Sequence, residues 1–166
     1  MTKRRRRILV ALSGAPSDAR ALAKAARALA GALLLSGSIR RDAEVLLIFY
    51  EARVRLLVEG SRVRNLREDE ESSLGLVASL LSRRARRLEV EERLPCIVPR
   101  DSKRELAALT CDALSEGFAV LDPELPPETT ELYCDKLLEA PAALRLEELI
   151  ALGNMVMDLC AGDPRS

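Results

Sequence analysis

The pattern of apolar and polar positions along the chain predicts strands that alternate with helices. Short apolar runs of strand length span Ile8–Leu12, Glu44–Tyr50 and Val54–Val58. Two further runs, Pro95–Pro99 and Phe118–Asp122, are predicted to be strands as well. The run Glu44–Tyr50 is apolar almost throughout, which is typical of a strand buried on both faces of a sheet.

Most of the segments between these strands have apolar residues at helical spacing. A long Ala- and Leu-rich helix is predicted from an N-cap at Ser17 to about Leu35, with a core face of Leu22, Ala26, Leu29 and Leu33. A second helix is predicted from about Asp69 to Arg87. It has acidic residues at its start and four arginines at its end, Arg83, Arg84, Arg86 and Arg87. Because these charges complement the helix dipole, we assign the four arginines a structural role.

The C-terminal third is predicted to continue the alternation. The S-x-x-E pattern of Ser102–Glu105 predicts a capping box that opens a helix to about Ser115. Another helix is predicted from Pro126 to about Leu138, then a last strand at Ala142–Leu146 and a last helix at Glu147–Cys160.

The predicted fold is a single α/β domain over residues 1–166, with a mostly parallel sheet flanked by helices. Ligands of such sheets bind beyond the carboxyl ends of the strands. This rule points to the loops that follow Val58, Asp122 and Leu146.

Composition excludes several kinds of chemistry. The 166 residues include no His, so no His-based triad and no His metal site can form. The four cysteines, Cys96, Cys111, Cys134 and Cys160, contain no C-x-x-C pair, which argues against zinc. We predict that they are small buried apolar residues, with disulfides as the alternative known from hyperthermophiles. No apolar run has the length of a membrane span, and we expect a cytoplasmic protein.

The charge is unevenly distributed along the chain. Residues 1–104 hold 23 Lys and Arg against 13 Asp and Glu, whereas residues 105–166 hold 3 against 13. Such a basic body is compatible with a polyanionic partner, although the two parts could also neutralise each other within the fold. Arg20, Lys24 and Arg27 form one stripe on the first helix, either a solvated face or a set of phosphate contacts. The bias of 22 Arg to 4 Lys, with no Gln, suits a heat-adapted protein.

One stretch combines two charged loops around the strand Glu44–Tyr50. It reads S-x-x-I-R-R-D over Ser36–Asp42 and E-G-S-x-V-R-x-L-x-x-D-E over Glu59–Glu70. This order and spacing closely resembles the archaeal tRNA pseudouridine N1-methyltransferases of the SPOUT superfamily. The resemblance is weaker but colinear over Phe118–Glu128 and in the C-terminal segment.

The resemblance implies a SPOUT fold with a C-terminal trefoil knot, a homodimer, S-adenosyl-L-methionine as cofactor and tRNA as methyl acceptor. It makes Asp42 and Arg40 the candidate catalytic residues, with Asp42 positioning the base or accepting its proton. The candidate RNA-binding residues are Arg27, Arg41, Ser61 and Arg64. The cofactor would lie near Leu121, Asp122 and Leu146.

The sequence departs from the family pattern at the cofactor loops. Where the family has glycine after the last strand, this chain reads Arg145-Leu146-Glu147, and the carboxylate there would crowd the cofactor. The alternative is therefore a non-catalytic SPOUT-fold protein that binds RNA or forms a structural dimer. A third interpretation takes the loop charges as structural ion pairs, Arg40 with Asp42 and Arg64 with Asp69.

Overall fold

A computed structural model of the chain describes residues 5–64, 66–67, 69–89, 91–100, 104–141 and 143–161. The elements in chain order are β1 Arg6–Leu12, α1 Ala19–Leu33, β2 Leu34–Leu35, β3 Ser38–Ile39, β4 Ala43–Phe49, β5 Val54–Glu59, α2 Glu70–Arg84, β6 Arg86–Arg87, β7 Leu94–Pro99, β8 Gly117–Leu121, α3 Glu128–Tyr133, β9 Cys134–Ala140 and α4 Leu146–Ala161.

Seven of the strands form one sheet in the order β6-β5-β4-β1-β8-β7-β9. The strands β4, β1, β8, β7 and β9 are parallel. At one edge, β5 runs antiparallel to β4, and β6 runs antiparallel to β5. The central strand β1 pairs with β4 from Arg6–Ala43 to Leu12–Phe49. This confirms the predicted α/β class with a mostly parallel sheet flanked by helices.

The central strand shows how the core divides. Ile8, Val10 and Leu12 point to one face, where α1, α2 and α4 pack, while Leu9 and Ala11 point to the other, towards α3. Side chains alternate across a strand, so a continuous apolar run buries both faces of the sheet. No helix within the described ranges is long and apolar enough to cross a membrane.

The first two helices differ from the prediction at their ends. Asp18, not Ser17, is the N-cap of α1, because its carboxylate accepts the Arg20 N–H at 3.0 Å. The helix α2 ends at Arg84, three residues before the predicted end. The next two arginines form β6, which pairs with Val54 and Arg55 of β5.

The prediction is wrong in part of the C-terminal third, although the strand predicted at Phe118–Asp122 and the helix predicted at Glu147–Cys160 are present as β8 and α4. Ser102 and Lys103 of the predicted capping box lie outside the described residues, and no helix spans 104–115 apart from one short turn at Asp112–Leu114. Instead, the Ala107 N–H donates to the Leu137 oxygen at 2.9 Å, and Ala107 in turn accepts the Glu139 N–H at 2.9 Å. Pairing with another strand thus outweighs the local helical preference.

The last strand also lies elsewhere than predicted. The predicted helix to Leu138 is limited to α3, and Cys134–Ala140 is the edge strand β9, paired with β7. Leu146 is therefore not a strand end but the first residue of α4, and Ala142 lies outside the described residues. The loop after the last strand begins at Pro141, so the crowding predicted from Glu147 does not concern that loop.

The cysteines are paired, which corrects the prediction of isolated buried thiols. Cys96–Cys134 joins the neighbouring strands β7 and β9, with a Cα–Cα distance of 5.4 Å. Cys111–Cys160 joins the turn before β8 to the last turn of α4, with a Cα–Cα distance of 5.7 Å. Both pairs are brought together by the fold over 38 and 49 residues of sequence, which spacing alone does not reveal.

Candidate functional site

The two loops of the motif meet at the amino edge of the sheet. Because β5 is antiparallel to β4, the end of β5 lies beside the start of β4. The Gly60 N–H donates to the Ala43 oxygen at 2.8 Å. The Arg41 Nη1 donates to the carbonyl oxygens of Gly60 and Val63 at 3.1 and 3.0 Å. A Cβ on Gly60 would overlap the Arg40 carbonyl oxygen, so this close approach requires glycine.

Arg40 attaches this pair of loops to the C-terminal helix. It is only 9% exposed, and its guanidinium donates to both carboxylate oxygens of Asp158, at 2.6 and 3.1 Å. Arg6, which is 7% exposed, donates to the same carboxylate at 2.7 Å. Burial opposes ionisation of Asp158, but the hydrogen bonds from Arg40 and Arg6 outweigh it and lower the pKa of this carboxyl. Arg40 thus has a structural partner in α4.

The predicted pairs within the loops are not the ones formed. Arg40 pairs with Asp158 instead of Asp42, and Asp69 caps α2 by accepting the Ser72 N–H at 2.9 Å instead of pairing with Arg64. Hydrogen bonding with the Ser72 side chain, and then with its N–H, lowers the pKa of Asp69. The third interpretation is therefore right that Arg40 makes a structural ion pair, but wrong about its partner.

Asp42 lies at the same edge and is half-buried. Its main-chain oxygen accepts the Arg6 N–H at 2.7 Å, and its side chain lines a cleft of about 320 Å³. Arg5, Arg6 and both cysteines of the Cys111–Cys160 disulfide line the same cleft. Of the other predicted residues, Ser61 is exposed in the turn after β5 and Arg27 is exposed on α1.

Four arginines surround a groove between β5 and α2, which we call the arginine groove: Arg62, Arg64, Arg83 and Arg84. Its volume is about 220 Å³, and Leu76 and Leu80 of α2 contribute apolar lining. All four arginines are exposed. Arg62 pairs with Glu59 at 3.1 Å, whereas no described carboxylate lies within ion-pair distance of the other three. The groove therefore concentrates positive charge in a concave surface.

The carboxyl edge of the sheet carries a different cluster, centred on the buried Asp122 at the end of β8. One carboxylate oxygen of Asp122 accepts from Lys24 Nζ at 2.8 Å and from the Ser13 N–H at 3.1 Å. The other accepts the Glu124 N–H at 3.2 Å. Lys24 also lies 3.3 Å from Glu124, and Arg20 lies 2.6 Å from Glu124. Two cations of the predicted basic stripe thus hold the loop after β8.

Two of the predicted cofactor residues lie at the opposite edge of the sheet from the predicted catalytic residues. Asp42 directly precedes β4, whereas Leu121 ends β8 and Asp122 follows it. Strands of this length separate the two edges by about 20 Å. The carboxyl-end rule pointed to the loop after Val58 together with the loop after Asp122, but the antiparallel direction of β5 places the loop after Val58 at the amino edge. Leu146 is half-buried against the main core cluster.

Sequence reasoning missed Arg83 and Arg84 as site residues. Both lie in the last turn of α2, where their charges complement the helix dipole. Because this role accounts for their charge, the sequence offers no reason to expect that they also line a groove. Only the packing of α2 beside β5 places them next to Arg62 and Arg64. Asp158 was also missed, because nothing in its sequence neighbourhood indicates two arginine partners more than 100 residues away.

No protein-family model matches the sequence, and no curated protein matches it. Its function is therefore inferred from its own residues and their arrangement.

Proposed function

We propose that this protein binds RNA through the arginine groove. The observation that carries the proposal is the convergence of four exposed arginines from two elements on one concave surface. Guanidinium groups bind phosphate with two parallel donors, so such a groove suits a phosphate backbone. Arg41, a predicted RNA-binding residue, positions the groove, because its hydrogen bonds fix the loop that carries Arg62 and Arg64.

RNA is the proposed polyanion because of the motif. The stretch Ser36–Glu70 resembles the RNA methyltransferases named above, and the groove is built partly from that stretch. The proposal extends to a SPOUT-like fold with a knotted C-terminus. The chain path supports it: after the edge strand β9, the chain returns as α4 to pack against β8 and α1. A knot would be an exception to the usual un-knotted topology.

We propose a homodimer as well. Met155 and Leu159, one turn apart on α4, are 53% and 71% exposed. Large apolar side chains at this spacing form a stripe on one helix face, which a second copy of the chain would cover.

Methyl transfer from S-adenosyl-L-methionine to a tRNA pseudouridine is the second candidate function. One observation favours it: the strand order reverses between the neighbours β1 and β8. From β1 the chain continues through α1 to β4 on one side of the sheet, whereas from β8 it continues through α3 to β9 on the other side. Ligands of open parallel sheets bind at such a switch point. The predicted residues do not fit a cofactor there, however, because Asp122 already accepts three donors and Leu121 and Leu146 offer only apolar side chains.

Calorimetry with S-adenosyl-L-methionine separates the two candidates. RNA binding without methyl transfer predicts no binding heat at about 1 mM cofactor, a concentration that detects even weak sites. A micromolar dissociation constant would instead establish the cofactor site and favour the enzyme.

The groove itself is tested by RNA titration at several salt concentrations. Each phosphate contact contributes about −0.7 to −0.9 to the slope of log K against log salt. The double variant Arg83→Ala/Arg84→Ala should weaken binding to all sequences alike and reduce the slope by about 1 to 2. The matched control is Arg100→Ala, which removes another exposed arginine at the far side of the sheet, where it pairs with Glu139. An unchanged slope in the double variant, or an equal loss in the control, contradicts the proposal.

A further inference from the structure

The two disulfides lie in different surroundings. Cys96 is fully buried and Cys134 is 8% exposed, within the apolar cluster on the α3 face of the sheet. In contrast, Cys111 is exposed and Cys160 is half-buried. A disulfide reacts with a thiol only where the thiolate can reach a sulfur atom, so the two pairs should differ in reactivity.

A cleft gives access to the exposed pair. Cys111 and Cys160 both line the cleft of about 320 Å³ at the amino edge, together with Arg5, Arg6 and Asp42. This volume accommodates a small organic thiol beside the sulfur atoms.

The exposed disulfide also fixes a helix end that carries other contacts. Cys160 lies in the last turn of α4, two residues after Asp158. Asp158 holds Arg6 and Arg40, and Arg6 donates in addition to the Asn154 Oδ1 at 2.8 Å. The last turn of a helix leaves its carbonyl groups without intrahelical partners and opens readily unless it is held.

We propose that Cys111–Cys160 is a reversible modification site for a low-molecular-weight thiol, and that its reduction releases Asp158 from Arg6 and Arg40. The first thiolate attacks the sulfur of Cys111, the more exposed residue of the pair. The Cys111–Cys160 bond breaks, and Cys160 leaves as a thiolate that takes up a proton. A second thiol attacks the mixed disulfide, which frees Cys111 and forms the small-molecule disulfide. Two electrons pass from the two thiols to the protein, and an oxidised small-molecule disulfide reverses both steps.

Differential labelling under native conditions tests the modification. The intact protein is incubated with increasing glutathione, quenched with an alkylating reagent and mapped by mass spectrometry. Cys111 and Cys160 should be labelled at glutathione concentrations at least about tenfold below those needed for Cys96 and Cys134, which serve as the internal control. Simultaneous labelling of all four cysteines, or earlier labelling of the buried pair, overturns the proposal.

Hydrogen exchange tests the release of α4. After selective reduction, amides of residues 157–161 should exchange about tenfold faster, whereas those in the middle of α1 should not change. An arginine-specific dicarbonyl reagent should modify Arg40 faster in the reduced protein and in the oxidised Asp158→Asn variant. Unchanged exchange and unchanged Arg40 modification after reduction would show that the disulfide does not hold these ion pairs, and the second half of the proposal would fail. These readouts use no RNA, so their outcome is independent of the arginine groove.

Discussion

Replacing Gly60 by Ala should be among the most destabilising single changes in the motif. The added Cβ would overlap the Arg40 carbonyl oxygen and lie 2.9 Å from that of Ala43. Both obstacles are backbone atoms, so the loops have to separate by about 1 Å or more to restore ordinary contact distances. Such a shift stretches the hydrogen bonds of 2.8 Å from the Gly60 N–H and of 3.1 and 3.0 Å from Arg41 beyond useful length.

The expected cost follows from those three hydrogen bonds. A neutral bond contributes about 1 kcal/mol, and a bond to a charged group contributes about 1.5–3 kcal/mol. With partial relaxation, Gly60→Ala should lower the free energy of unfolding by about 3–5 kcal/mol. At a urea m-value of about 2 kcal/mol/M, the midpoint of unfolding falls by about 2 M.

Gly75 supplies the matched control. It lies within α2, and a Cβ there would meet no atom within 4 Å. Gly75→Ala should therefore stabilise the protein by about 0.5–1 kcal/mol through helix propensity alone. If Gly60→Ala unfolds at a urea concentration within experimental error of wild type, or shifts like Gly75→Ala, the interlocking of the two loops is refuted.

Three further predictions concern buried contacts. Asp158→Asn should cost about 2 kcal/mol at pH 7, less than a fully buried pair, because the carboxylate is 45% exposed. The native pKa of Asp158 is lowered, so its contribution to the free energy of unfolding is complete above the unfolded pKa of 3.8 and is lost as the pH falls through the native pKa. In urea titrations, the unfolding free energies of wild type and Asp158→Asn should therefore converge in that acidic range and differ by a constant amount above about pH 5. Gly153→Ala should lower the free energy of unfolding by about 1–3 kcal/mol, because its Cβ would lie 2.5 Å from the Phe118 ring. In a double-mutant cycle, adding Phe118→Leu should recover part of that loss. Lys24→Met should lower the free energy of unfolding by about 3–5 kcal/mol, because it leaves Asp122 buried without its cation. Thermal unfolding should show a smaller loss of stability in Lys24→Met/Asp122→Leu, and equal losses in the two variants would contradict this coupling.

Local pattern was sufficient for the first two thirds of the fold. The runs at β1, β4, β5 and β7 are apolar over strand length, and the amphipathic spacing of α1 buries Ala26, Leu29 and Leu33. In these segments, periodicity and burial agree, so the elements could be predicted from the sequence alone. At Ala107 and in β9, strand pairing overrides the local helical propensity and the prediction fails, whereas β8 and α4 agree with it.

Prediction of the candidate site was limited by strand direction. Sequence alone identified the loops around Arg41 and Gly60 as a unit, and the structure interlocks them. Whether they adjoin Asp122 depended on whether β5 runs parallel or antiparallel to β4. An apolar run carries no information about direction, but the length of the connection does. Parallel strands need a crossover of about a dozen residues or more, so the three residues between the two runs already require an antiparallel pair and the amino edge for the loop after β5.

What the sequence determined by itself is most of the longer strands and helices, the mostly parallel α/β class and the charged loop motif. What only the tertiary structure decided are pairings between distant residues. Arg40 with Asp158, Lys24 with Asp122, the two disulfides and the four arginines of the groove all join segments whose separation along the chain conceals their proximity. The physical reason is that an ion pair or a disulfide depends on distance and burial in space, whereas helix and strand patterns depend on a few neighbouring residues.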